Sequence, residues 1–126
     1  ADAVLLIAEC LNDCELCSLY QATIDLEMSP LVEIYEKSNL SRVLEMGATL
    51  IGVNNRNLHD FSIDLDHVLD LRMDIPPECL VVGESGICTR QDVLRLQQGG
   101  VDAILVGETL MRSKDIGGAV DLLLGN

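Results

Sequence analysis

The chain has almost no aromatic residues: no tryptophan, one phenylalanine and two tyrosines among 126 residues. Hydrophobic residues still make up 48% of the sequence, so its core must be built from valine, leucine, isoleucine and alanine. Aliphatic runs without aromatics are typical of parallel strands that are buried on both faces. The composition therefore favours an α/β protein with a sizeable core.

Basic residues are also scarce, with eight lysines and arginines against 21 acidic residues and a formal net charge of −13. Binding to nucleic acid depends on neutralising phosphates with lysine and arginine, so this balance argues against a nucleic-acid partner. A small phosphorylated metabolite remains compatible with it, because a few backbone N–H groups or one arginine are enough to hold one phosphate.

Long apolar runs are missing as well, and none approaches the roughly 18 residues of a membrane span. No basic leader precedes a cleavage site. Five cysteines in an acidic chain of this kind are expected to be reduced, without a disulfide framework. We expect a soluble intracellular protein in the cytoplasm, or in the plastid stroma of a plant-like source, with residues 1–126 forming a single domain.

Apolar runs alternate with helical patterns along the whole chain. Asn12 is expected to cap a first helix that stops at Ser29-Pro30, and Thr89-x-x-Asp92 resembles a capping box. Because each helix returns the chain to the same edge of the sheet, the pattern predicts five parallel strands with interleaved helices. The predicted strands are 3–7, 31–35, 50–54, 79–83 and 103–106, and the other predicted helices are 38–46, 65–73 with Asp64 as cap, and one ending at Gly99-Gly100.

Glycines follow the last two predicted strands, at Gly83-Glu84-Ser85-Gly86 and at Gly107-Glu108. Two successive strand-to-helix turns of this kind can direct backbone N–H groups at one anion, which predicts a phosphate site between Gly86 and Gly107. The alternative is that these are ordinary turn glycines.

Polar residues stand where each predicted strand ends, and in a parallel sheet these ends lie at one edge, where ligands bind. Glu33 is the strongest candidate for chemistry, because it interrupts an apolar run where an ionised carboxylate needs a partner. For Glu9 and Asn55 the alternative to a functional role is that the chain reaches the surface at those points, where polar residues are common.

One other motif suggests different chemistry, whereas the two histidines do not. The spacing Cys10-x3-Cys14-x2-Cys17 matches the iron–sulfur loop of radical S-adenosylmethionine enzymes, although cysteines on a predicted helix also serve as small buried apolar residues. His59 and His67 have no partner spacing typical of a metal site or triad, and we expect His67 on a solvent-facing surface.

Four segments together resemble the indole-3-glycerol phosphate synthase family of tryptophan biosynthesis. They are Leu31-Val32-Glu33, the run 50–58 with Asn54-Asn55-Arg56, the run 83–87 with Glu84-Ser85-Gly86, and the run 105–112 with Gly107-Glu108. The resemblance implies a partial (β/α)8 TIM barrel that is similar to strands four to eight of the family.

The family's enzymes are carbon–carbon lyases that close the indole ring of 1-(2-carboxyphenylamino)-1-deoxyribulose 5-phosphate, releasing carbon dioxide and water. By resemblance, Glu33, Asn54 and Glu84 are catalytic, Arg56 lies near the substrate carboxylate, and Leu105 lines the aromatic site. Backbone amides of Ser85, Gly86, Gly107 and Glu108 would contact the phosphate, and the family implies no metal or cofactor. Many members have serine at the position of Glu108, so its carboxylate is expected to turn outward.

The resemblance does not cover the family's first three strands or its catalytic lysines. Lys37 and Lys114, the only lysines here, lie outside the predicted strand ends. We therefore expect a C-terminal part of the enzyme that is inactive alone and whose partner is the N-terminal part of the barrel. A second hypothesis is a non-catalytic half-barrel that assembles with another copy of itself through its unpaired sheet edges.

Overall fold

The computed structural model describes all 126 residues, from Ala1 to Asn126. Five strands form one parallel sheet in the order of the chain, as the alternating pattern predicts. They are β1 (Ala3–Ile7), β2 (Ser29–Ile34), β3 (Leu50–Asn54), β4 (Leu80–Glu84) and β5 (Ala103–Leu105). Consecutive parallel strands joined by helices define a partial (β/α)8 barrel.

Six α-helices complete the fold: α1 (Asp13–Asp25), α2 (Leu40–Glu45), α3 (Asp66–Arg72), α4 (Arg90–Gln98), α5 (Glu108–Arg112) and α6 (Ile116–Leu124). Short 3₁₀ helices at Ala8–Cys10 and Lys37–Asn39 follow β1 and β2. No helix has the length and apolarity needed to cross a membrane.

Two of the three predicted capping residues, Asn12 and Thr89, are confirmed. The Asn12 side chain accepts a hydrogen bond from the Glu15 amide, and Glu15 accepts one from the Asn12 amide, so α1 begins with a capping box. Thr89 and Asp92 form the same reciprocal pair at the start of α4, which ends at Gly99 as predicted. These local bonds satisfy N–H groups that a helix leaves unpaired.

Several predicted boundaries need correction. The first helix ends at Asp25, and Ser29-Pro30 opens β2 instead of stopping the helix. A proline is tolerated there because pairing with β3 begins only at Val32. Asp64 lies one residue before the cap position of α3, where its carboxylate accepts the Asp66 amide.

The two faces of the sheet differ in burial. One face packs against the helices through side chains that are at most 5% exposed, and this face carries the core. Members of that set are Leu6, Val32, Ile34, Ile51, Val53 and Val81. The opposite face, called here the inner face, has no helices on it, and its Leu5, Leu80 and Leu105 are 43–55% exposed. The sheet is therefore a half-covered layer whose inner face is available to a ligand or another chain.

Candidate functional site at the carboxyl edge

The strand register brings four of the predicted residues to the inner face at the carboxyl edge of the sheet. Glu33 pairs with Gly52, Asn54 pairs with Glu84, and Glu84 pairs with Leu105. Because paired residues of parallel strands point to the same side, and residues two apart share a face, these side chains converge. A one-residue shift in any strand would have separated them.

Glu33 and Asn54 form a rigid polar unit. The Asn54 amide nitrogen donates to Glu33 Oε1 at 2.9 Å, and the Asn54 Oδ1 accepts the Arg56 backbone N–H at 3.0 Å. Both residues are at most 9% exposed. With both ends of the amide engaged, Asn54 holds one Glu33 oxygen in a fixed position, which gives the buried carboxylate the partner it requires.

Glu84 lies beside Glu33 and is 3% exposed, and its Oε1 has no hydrogen-bond partner. Burial raises the pKa of Glu84 to about 8, and the neighbouring Glu33 carboxylate contributes to the same upward shift. The pair therefore holds a proton to a higher pH than a solvent-exposed carboxyl does. Two neighbouring carboxyl groups that share a retained proton can provide a proton donor and an acceptor at one place.

Gly52 makes room for this pair, and sequence analysis did not identify that role. A Cβ at position 52 would lie 2.1 Å from Glu84 Oε1, so any side chain there would displace the carboxyl. Its signal in the sequence is a glycine inside the β3 run, which marks a close approach by another group.

A cavity of about 380 Å³ lies between the turns after β4 and β5, and Glu33, Asn54 and Glu84 are not among the residues that line it. We call it the Gly86–Gly107 cavity, and its twelve lining residues include Arg56, Ser85, Gly86, Leu105, Gly107 and Glu108. All six predicted substrate-binding residues thus border one space. Lys37 and Lys114 do not line it.

The turn after β4 has an unusual backbone. Ser85 and Gly86 have φ values of 65° and 77°, both in the left-handed region. Ser85 is one of three non-glycine residues in the chain with positive φ, a conformation that costs a non-glycine residue free energy. At Gly86 a Cβ would also lie 2.3 Å from Ile63, so the position requires glycine for two reasons.

Arg56 and Glu108, which both line this cavity, form an ion pair. Arg56 Nη2 contacts Glu108 Oε2 at 2.7 Å, and Arg112 contacts the other oxygen, Oε1, at 3.0 Å. Hydrogen bonding to Arg112, with a further contribution from Arg56, lowers the pKa of Glu108. The expectation that Glu108 turns outward is only partly right: its side chain is exposed, but it reaches back to the guanidinium expected to bind substrate.

Glu9 and Asn55 have structural roles, as hydrogen-bonding residues between elements, that the sequence did not indicate. Glu9 Oε1 accepts three hydrogen bonds of 2.7–3.0 Å, from the amides of Tyr35 and Glu36 and from the Asn39 side chain. Asn55 is 1% exposed, so the interpretation of a surfacing chain is wrong for it. Its side chain donates to the Ser85 carbonyl and accepts the Val68 amide, which joins β4 to α3.

The remaining candidate residues lie elsewhere. The prediction of a solvent-facing His67 is only partly right: the residue is half-buried, its ring stacks on Tyr35 at 4.4 Å and its Nε2 lies 2.8 Å from the Tyr35 carbonyl. Cys10, Cys14 and Cys17 are exposed, so the interpretation of them as small buried apolar residues is wrong. No three histidine, cysteine or acidic side chains are grouped as metal ligands.

Solved structures with the same fold show which class of protein this is. Thiamine phosphate pyrophosphorylase from Pyrococcus furiosus superposes with a TM-score of 0.76 at 20% identity, over 99% of this chain and 58% of that one. A mandelate oxidase variant superposes with a TM-score of 0.74 at 17% identity, over 98% and 46% of the two chains. The fold is that of a partial (β/α)8 barrel, with its candidate site where such barrels bind ligands.

Sequence comparison identifies the family. The family model for indole-3-glycerol phosphate synthase matches residues 1–123. Indole-3-glycerol phosphate synthases from Rhodopirellula baltica and Dehalococcoides mccartyi are each 50% identical, over 100% and 98% of this chain and over 49% and 48% of their own lengths. The chain belongs to the indole-3-glycerol phosphate synthase family. It spans about half the length of the curated relatives it matches.

Proposed function

We propose that this chain supplies the carboxyl-edge half of the active site of an indole-3-glycerol phosphate synthase, a carbon–carbon lyase of tryptophan biosynthesis. The substrate would be 1-(2-carboxyphenylamino)-1-deoxyribulose 5-phosphate, and closure of the indole ring would release carbon dioxide and water. The observation that carries this proposal is the buried pair of Glu33 and Glu84 at the same edge of the sheet as the Gly86–Gly107 cavity, where Glu84 pairs with the cavity-lining Leu105.

The carboxylate pair supports the proton transfers of that reaction. Ring closure needs a proton for the departing hydroxyl, which leaves as water, and a group that accepts or orients protons nearby. The raised pKa of Glu84 allows it to donate at neutral pH. Glu33, fixed by the Asn54 amide at 2.9 Å, is the accepting partner in this assignment.

The residues around the cavity fit the two anionic groups and the aromatic ring of the substrate. The Arg56 guanidinium is a planar donor fork, suited to the carboxylate that departs as carbon dioxide. Backbone amides of Ser85, Gly86, Gly107 and Glu108 would bind the phosphate. The half-exposed Leu105 side chain, on the same face as Glu84, would line the aromatic site.

We infer further that residues 1–126 alone do not turn over this substrate. No lysine lines the cavity, and the open inner face gives the substrate a surface on one side only. The expected partner is the part of the barrel that precedes the matched half in the curated relatives. Five free cysteines agree with a reducing compartment, so we propose the cytoplasm, or the plastid stroma in a plant-like source.

The test is complementation. The purified chain is assayed for indole glycerol phosphate by fluorescence, alone and together with the separately expressed N-terminal half of the Rhodopirellula baltica relative. We expect no product from the chain alone and measurable product from the mixture. In the mixture, Glu84→Gln should lower the rate by about 10²–10⁴-fold, as is typical when a positioned acid is lost.

The matched control is Glu78→Gln, which removes an exposed carboxylate before β4, at the opposite end of the strand from the carboxyl edge. It should leave the rate of the mixture unchanged. Product formed by the chain alone and abolished by Glu33→Gln would contradict the inference of inactivity. A folded mixture with no activity would contradict the proposed function itself.

A second candidate function is assembly of a non-catalytic half-barrel. It is favoured by the exposed leucines of the inner face and by the unpaired edges of β1 and β5. In that case the partner is another copy of this chain, bound through the inner face or the strand edges.

A further inference from the structure

Glu108 occupies one nitrogen, Nη2, of the Arg56 donor fork that an incoming carboxylate would need. Its Oε2 contacts Arg56 Nη2 at 2.7 Å, while its Oε1 contacts Arg112 Nη2 at 3.0 Å. Arg56 is bound to another residue that lines the Gly86–Gly107 cavity, 52 positions further along the chain. A ligand carboxylate that binds Arg56 through Nη2 must therefore replace an internal anion.

Arg112 lowers the free-energy cost of displacing Glu108 from Arg56. Glu108 and Arg112 are four residues apart on α5, so their ion pair follows from the helix itself and does not depend on Arg56. When a ligand carboxylate takes the place of Glu108 on Arg56, Glu108 keeps its bond to Arg112. One charge-assisted hydrogen bond is exchanged for another, and no carboxylate is left unpaired.

We propose that Glu108 is a specificity-determining residue that competes with ligand carboxylates for Arg56. When a ligand is bound, Arg112 keeps Glu108 paired. Ligands without a carboxylate leave the Arg56–Glu108 bridge closed. Ligands with a carboxylate open it by exchange, so the bridge lowers their affinity and thereby sets how strongly the site prefers them to neutral compounds of the same shape. The inference rests on the proposed use of the Gly86–Gly107 cavity as an anion site.

The two residues should have opposite effects on carboxylate binding. Glu108→Gln removes the competitor and should tighten binding, whereas Arg112→Gln leaves Glu108 with Arg56 as its only partner and should weaken it. Exposed ion pairs contribute modest free energies, so we expect changes of about two- to five-fold in each direction. In the variant that carries both Glu108→Gln and Arg112→Gln, the effect of Arg112→Gln on carboxylate affinity should disappear, because no competitor for Arg56 remains.

The experiment is a titration of the 126-residue chain with benzoate, following the Arg56 side-chain N–H signal by NMR. Inorganic phosphate is titrated separately, following the amides of Gly86 and Gly107. Lys114→Gln controls for the loss of a nearby positive charge, and Glu78→Gln controls for the loss of a negative one. Neither control should change benzoate affinity by as much as two-fold.

The outcomes separate this inference from the proposed function. Equal benzoate affinity in the wild-type chain and in Glu108→Gln, with phosphate still shifting the two glycine amides, overturns the competition alone. Weakening by Arg112→Gln that persists in the Glu108→Gln background also overturns it, since simple charge loss then explains the effect. Absence of shifts with either anion in every variant overturns the anion site and this inference together.

Discussion

Glu84 is the side chain whose protonation is most strongly coupled to folding. Its pKa rises from an ordinary 4.5 to about 8, first because of burial and second because of Glu33. Between these values the native state holds a proton that the unfolded chain has released. The free energy of unfolding should therefore decrease as the pH rises through this window, by at most about 1.4 kcal/mol per pH unit.

Urea denaturation at about pH 5 and about pH 8 measures this dependence. Glu84→Gln should remove most of the slope, while Glu78→Gln should keep it. Asp92 and Glu108 do not interfere, because their pKa values are lowered and they titrate below the window. Equal slopes in the wild-type chain and in Glu84→Gln would show that the buried proton does not lie on Glu84.

Gly52 gives a second prediction at the scale of single residues. Gly52→Ala would put a methyl group 2.1 Å from Glu84 Oε1, and we expect a loss of about 1–3 kcal/mol in the free energy of unfolding. Gly107→Ala is the matched control, because no atom lies within 4 Å of its added Cβ and its φ is not in the left-handed region. That control should change stability by less than about 0.5 kcal/mol. Similar losses in both variants would contradict a specific role for Gly52.

At the scale of secondary structure, helix α4 depends on its capping box. Thr89 Oγ1 accepts the Asp92 amide, and Asp92 Oδ2 accepts the amides of Thr89 and Cys88. Thr89→Ala should lower the free energy of unfolding by about 1 kcal/mol, measured by urea denaturation. Thr49→Ala, at an exposed threonine just before β3, should have little effect. Equal effects of the two variants would show that the cap contributes nothing.

The elements that could be predicted from sequence are those with local signals. Apolar runs located all five strands, and Asn12 and Thr89 located two helix starts, because capping bonds lie within four residues of the cap. The end of α1 was placed too late because Pro30 reads as a helix stop, whereas pairing with β1 makes it part of β2. Tertiary pairing of this kind is invisible in a local pattern.

The candidate site, like the helices and strands, could be predicted only where its residues have a signal along the sequence. Glu33 and Glu84 were recognisable as charges at the ends of apolar runs, and Arg56 and Glu108 through a family resemblance. The contact between Arg56 and Glu108 joins residues 52 positions apart, and the space above Gly52 depends on the β3–β4 register. Neither follows from composition or spacing along the chain.

At the scale of the whole molecule, the exposed inner face should drive association. Burial of a leucine side chain contributes about 1.5–3 kcal/mol, and three leucines on this face are about half-exposed. We expect the average mass of the isolated chain to rise with concentration in sedimentation equilibrium. Leu80→Lys should reduce this rise, whereas Leu122→Lys, on the exposed side of α6, should not. A concentration-independent monomer would argue against self-assembly through the inner face.

The sequential order of the sheet has a consequence for how the molecule opens. Each strand pairs only with the one before and the one after it in the chain, so the fold is a one-dimensional stack of βα units with nearest-neighbour coupling. Units at the two ends have one neighbour and should fray first, whereas β3 has neighbours on both sides. Amide hydrogen exchange should accordingly be slowest near Ile51 and Val53 and become faster towards β1 and β5, so that the carboxylate pair lies in the slowest-opening part of the sheet.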